Sequence, residues 1–154
     1  MQALSSGEDV MWTAGGAWRA DGEDLADGEV DAWLGGISAA LNDCGVELHL
    51  ATVTGPFDED SAGYALAVNG TPRYLYMYAA DEPKVPATED PWMECSIAPA
   101  AEVNRLLEVA GSSRRLALFW PGGNDGFSVL GEESVLRRAG ERGLTSGSWD
   151  CVIP

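Results

Sequence analysis

Chemistry in this chain would have to come from one histidine (His49), three cysteines (Cys44, Cys95 and Cys151) and an abundance of carboxylates. A structural zinc site takes four nitrogen or sulfur ligands and would have to recruit all four of those scattered residues; no C-x-x-C is present. Zinc is therefore set aside. A Cys–His nucleophile pair has no local support either. In Val46-Glu47-Leu48-His49-Leu50 the apolar residues alternate, which places Glu47 and His49 on the less buried side of a strand. Asp21–Asp31 has the composition of a calcium loop, but its sixth position, where an EF-hand needs glycine, is Ala26. The run Gly122-Gly123-Asn124-Asp125-Gly126 lacks the Lys-Ser/Thr ending of a phosphate loop, and Gly143-Leu144-Thr145-Ser146-Gly147 carries its serine one place late for a nucleophile elbow. Carboxylate pairs such as Glu132/Glu133 and Asp58/Asp60 are too plentiful in so acidic a chain to single out a glycosidase-type pair. The expectation is no catalytic residue, no metal and no cofactor. A small enzyme stays open only through a site assembled from dispersed acids.

Charge is the stronger signal. The 154 residues carry 25 acids and 9 bases, a net charge of −16. Residues 1–71 hold 13 acids and one base (Arg19), net −12, whereas residues 72–154 hold 12 acids and 8 bases, net −4. Such a balance excludes a nucleic-acid binder that works by neutralising phosphates, because that needs a basic face. Solubility explains acidic runs in general. A one-sided distribution has a second use, which is to attract a basic protein partner and speed the encounter. The residues expected to do this are Asp21, Glu23 and Asp24 in the first dense run, and Asp58, Glu59 and Asp60 in the second.

The elements that must carry these residues follow from periodicity and punctuation. Asp27 as N-cap, Val30, Trp33, Leu34, Ile37 and Leu41 at helical spacing, and Gly45 as a left-handed C-cap predict a helix over 28–43. A strand is expected over 46–54. Asn69-Gly70 between two apolar runs predicts a hairpin of 63–68 with 71–79, because a type I′ turn needs positive φ at both positions. Pro72 in the second strand predicts an edge, or an outer pairing that starts later. A regular register would put Tyr74, Tyr76 and Tyr78 on one face, either covering a Gly/Ala strip or exposed as a recognition ladder. Residues 80–98, with Pro83, Pro86 and Pro91, read as a long acidic loop, and Pro99 as the first residue of a second helix. Strands are expected at 116–120 and 127–130, a third helix at 131–142 and a last strand at 148–153. Residues 1–20 read as a hairpin or a loosely attached arm. The fold class is α+β: one domain, with a mostly antiparallel sheet packed against about three helices.

No apolar run approaches the roughly 20 residues of a membrane span, the first residues lack a signal-peptide pattern, and the odd cysteine count fits free thiols. A cytoplasmic location is the expectation.

Residues 63–120 bear a resemblance. A hairpin with an aromatic second strand (Tyr74-Leu75-Tyr76-Met77-Tyr78), an acidic Pro-rich loop, a helix over Val103–Ala110, Gly111 and a strand ending in Trp120 resemble in layout the small immunity proteins of bacterial polymorphic toxin systems. The likeness covers under half of the chain and carries no diagnostic motif; 131–154 is outside it. It implies a non-enzymatic inhibitor that blocks the cleft of a cognate toxin, with carboxylates at the phosphate positions of a toxin that acts on nucleic acid. A ligand-binding accessory domain is the other alternative.

Overall fold

A computed structural model describes residues 16–56, 58, 60–122, 125–142 and 150–154. Among the described residues, two four-stranded antiparallel sheets and three helices make up the α+β fold. The first sheet has the order β1 (Ala17–Arg19), β7 (Asp125–Glu132), β6 (Arg114–Gly122), β8 (Asp150–Val152). The second is a meander of β2 (Leu50–Thr54), β3 (Gly63–Val68), β4 (Thr71–Ala79) and β5 (Glu82–Pro86).

Helices α1 (Val30–Asn42) and α2 (Pro91–Val109) join the sheets through one apolar core. Val30, Leu34, Ile37 and Leu41 bring to it the helical stripe that the sequence shows, and Val103 and Leu107 of α2 share it with Leu66 of β3 and Leu116 and Leu118 of β6. Asn104 is buried in α2 without penalty. It donates to the carbonyls of Leu116 and Pro154, both at 2.9 Å, and accepts from Leu116 N at 2.7 Å. Helix α3 (Glu133–Arg142) closes a smaller cluster in which Leu136 meets Ala117, Phe119 and Phe127.

Residues 1–15, most of the stretch read as a hairpin or a loosely attached arm, lie outside the described residues; Ala17–Arg19 pairs with Val129–Phe127 in the first sheet. The helical run begins earlier than Asp27. Asp21 is the N-cap, accepting from Glu23 N at 3.0 Å. A helical turn at Gly22–Asp24 and a π-helical turn at Leu25–Glu29 lead into α1, with Gly28 at φ 116° absorbing the kink between them. Gly45, at φ 81°, ends the helix as expected.

The hairpin turn has the expected geometry, with φ 50° at Asn69 and 78° at Gly70, and pairs Val68 with Thr71 and Ala67 with Pro72. The asparagine does more than turn. It accepts from His49 N and donates to the Glu47 carbonyl, so 47–49 is held by a side chain and the strand expected from 46 starts at Leu50. Outer pairing of β4 does start late, at Tyr78 and Ala79 with β5.

Two further expectations fail. A bulge pairs Tyr74 with Ala65 but Tyr76 with Tyr64, leaving Leu75 as the extra residue of β4. Leu75 and Tyr76 both turn inward while Tyr74 and Met77 face out, so the three tyrosines form no common face. The stretch 80–98 is not one loop, because it contains β5 and the first two turns of α2. Asp90 caps that helix by accepting from Met93 N at 2.9 Å, and Pro91 takes the first-turn position, so Pro99 lies buried inside the helix.

Candidate functional site

One close contact brings the two acidic segments of the first half side by side. The Pro56 ring lies against Gly28, where a Cβ would stand 3.4 Å from its Cγ and Cδ. That contact sets the 55–61 loop beside the helical turns at 22–29. Asp27 and Glu29 from the helical run, and Asp58 and Asp60 from the loop, are all exposed there. Asp31 is half-buried and accepts from Thr52 Oγ1 at 3.2 Å. The Asp58 carboxylate also shapes the loop, accepting from Gly55 N at 2.6 Å. Glu59 lies outside the described residues.

Farther along the same run, Asp21, Asp24 and Asp125 gather round Arg19, at 2.9, 3.8 and 3.9 Å from its Nη2. Three carboxylates against one guanidinium leave a negative excess, to which exposed Glu23 adds. Hydrogen bonding and charge from Asp21 raise the Arg19 pKa further, so the base stays protonated. The five expected acids among the described residues therefore divide: Asp21 is a half-buried cap, Glu23 is exposed, Asp24 is half-buried beside Arg19, and Asp58 and Asp60 are exposed on the neighbouring loop.

The tyrosines support this ridge from below instead of extending it. Tyr76, 8% exposed, donates from its hydroxyl to the Ala26 carbonyl at 3.3 Å. Half-buried Tyr78 donates to the Pro56 carbonyl. Each acidic segment is thus tied at its backbone to β4. The rings of Tyr64, Tyr76 and Tyr78 meet edge to face, with centroids 5.9 and 6.0 Å apart. Burial raises the Tyr64 and Tyr76 pKa values well above the usual phenol range, so both remain neutral, and Tyr76 keeps the proton it donates to Ala26. Tyr74 points elsewhere.

No family model matches this chain, and neither a curated protein nor a solved structure is similar to it. The function has to be argued from the chemistry of the surface itself.

His49 and Glu47 are both exposed, with Nε2 and Oε1 3.5 Å apart. The three cysteines are free thiols. Burial pushes the Cys95 thiol up to about 12, which keeps it protonated and unreactive. Among the described residues no group of three or more His, Cys, Asp or Glu side chains is placed to hold a metal ion. No helix among them is long and apolar enough to cross a membrane.

A second site was not foreseen from the sequence. Between β4 and α2 a groove of about 560 Å³ is lined by Leu66, Val68, Leu75 and Pro99, with Arg73, Tyr74, Glu102 and Arg105 along it. The Glu102 carboxylate is 9% exposed and is gripped by Arg105, Nε at 3.0 Å and Nη2 at 2.7 Å, while Arg73 approaches to 3.1 Å. The Arg105 bonds, with charge from both arginines, hold the Glu102 carboxyl below its ordinary range. The only sequence signal for this pairing is Glu102 and Arg105 at helical spacing, since Arg73 arrives from another element.

Proposed function

We propose that this protein is a non-enzymatic acidic interaction protein of the immunity type, acting in the cytoplasm. It presents the ridge built by 21–31 and 55–60 to the basic cleft of a partner, such as a toxin that acts on nucleic acid. The observation that carries the reading is the Gly28–Pro56 contact, which turns two separate acidic runs into one surface. Tyr76 and Tyr78 favour the same reading, because a surface whose segments are tied down loses less entropy on binding. Carboxylates on such a ridge can occupy the phosphate positions of a cleft made for nucleic acid, and their field accelerates encounter. Three free thiols fit a reducing compartment.

Co-expression in bacteria tests the reading. The chain is produced together with the product of each neighbouring open reading frame. Rescue of growth from a toxic neighbour by the wild-type chain, lost when Asp21, Glu23, Asp24, Asp58, Glu59 and Asp60 are changed to their amides, supports it. Absence of any neutralised neighbour overturns the inhibitor role.

A further inference from the structure

We infer that the groove between β4 and α2 is a binding site for an amphipathic carboxylate, a small molecule with an apolar chain or ring and one carboxylate head. The inference is independent of the acidic ridge. Its first support is charge. In a chain of net −16, this concavity gathers two guanidiniums, Arg73 and Arg105, round one carboxylate. Glu102 is almost fully buried and fixed, whereas the arginine side chains are 51% and 52% exposed. One positive charge is therefore in excess at the groove, and the planar forks that carry it suit a carboxylate.

The second support is shape and lining. Leu66, Val68 and Leu75 are buried in the sheet and form an apolar floor opposite Pro99 and Ala101 of α2. The volume, about 560 Å³, lies within the range of small-molecule sites, roughly 300–1,000 Å³. Tyr74, 53% exposed, stands on the lining with its ring available to cover an apolar body. Pro72 contributes by leaving the first half of β4 without an outer strand, since β5 pairs only from Tyr78 onward. An apolar floor alone would accept any greasy fragment. Two arginines beside it select an acid and orient it head outward.

The probe is 4-phenylbutyrate, compared with 4-phenylbutanol and acetate by methyl NMR titration and calorimetry. The expected result is saturable one-to-one binding of 4-phenylbutyrate that shifts the methyls of Leu66, Leu75, Ala98 and Ala101. The alcohol should bind about tenfold more weakly, and acetate should not saturate. Arg73→Gln should weaken the acid about tenfold and leave the alcohol unchanged, while Glu102 keeps its two bonds to Arg105 and the fold is preserved. Ala101→Phe should fill the groove and abolish binding of both compounds with both arginines intact. Shifts confined to other methyls, no saturation by 4-phenylbutyrate, or equal affinity of the acid for the wild type and Arg73→Gln would each overturn the assignment.

Discussion

The hydroxyl of Tyr76 donates to the main-chain carbonyl of Ala26, fifty residues earlier in the chain, at 3.3 Å. A buried side chain of the central hairpin thereby fixes the backbone from which the acidic ridge projects. Removing only the hydroxyl, by Tyr76→Phe, orphans that carbonyl and should cost about 1 kcal/mol of stability. Tyr76→Ala empties core volume as well and should cost about 3–5 kcal/mol. Urea unfolding followed by fluorescence separates the two. Equal losses would mean that the hydroxyl carries the whole effect and the ring is not core.

Gly63 is the tightest point of the hairpin. A Cβ there would stand 2.3 Å from the Tyr76 carbonyl oxygen and 2.7 Å from Met77 Cα, both backbone atoms. Gly63→Ala should therefore lower stability by about 3 kcal/mol or more. Gly70→Ala, at φ 78° with open space round it, meets only the left-handed penalty of roughly 1–2 kcal/mol. Thermal unfolding of the two variants should rank them in that order, and the reverse ranking would refute the bulged register.

Glu102 gives the stability a defined pH dependence. Its folded pKa lies below its unfolded value, first through the Arg105 hydrogen bonds and then through the charge of Arg73 and Arg105. A depressed acid contributes stability that is fully present above the unfolded pKa, about 4.3, and is lost as pH falls through the folded value. The wild type should thus exceed Glu102→Gln in stability at neutral pH, with the gap closing as pH drops below about 4. Urea midpoints across that range measure it. A gap that stays constant would show that the carboxylate is not ionised in the groove.

Thiol reactivity should follow burial. Cys95, pushed up to about 12 and fully buried, should resist an aromatic disulfide reagent in the folded protein at neutral pH. Cys44 and Cys151, each half-buried, should react first. All three should titrate on unfolding without reductant, and any shortfall would reveal a disulfide.

Some of this was legible in the sequence for reasons that are local. Asn69-Gly70 encodes its own turn through positive φ, and Val30, Leu34, Ile37 and Leu41 encode a buried helical stripe. What failed depended on distant contacts or on competing signals. Strict alternation presumes a regular ladder, and the bulge at Leu75 breaks it, so Tyr74 and Tyr76 separate. Asp90-Pro91 and Pro99 both resemble a helix start, and the cap made by Asp90 decides between them. Acidic runs were visible in the chain, but the Gly28–Pro56 contact that joins them was not. The groove escaped notice because Arg73 and Glu102 meet only after β4 has packed on α2.

The proposed function makes the ridge a steering surface, and its most direct test is the association rate constant with a partner identified by the co-expression experiment. Stopped-flow measurement from roughly 0.05 to 0.5 M salt compares the wild type with the variant carrying Asp21→Asn, Glu23→Gln, Asp24→Asn, Asp58→Asn, Glu59→Gln and Asp60→Asn. The amides at 21 and 58 keep an acceptor for Glu23 N and Gly55 N, so folding stability should change little. The wild-type rate should fall at least about tenfold across the range, the variant should be slow throughout, and the two should converge at high salt. Equal rates at low salt would contradict the account and leave the acidic half as a device for solubility.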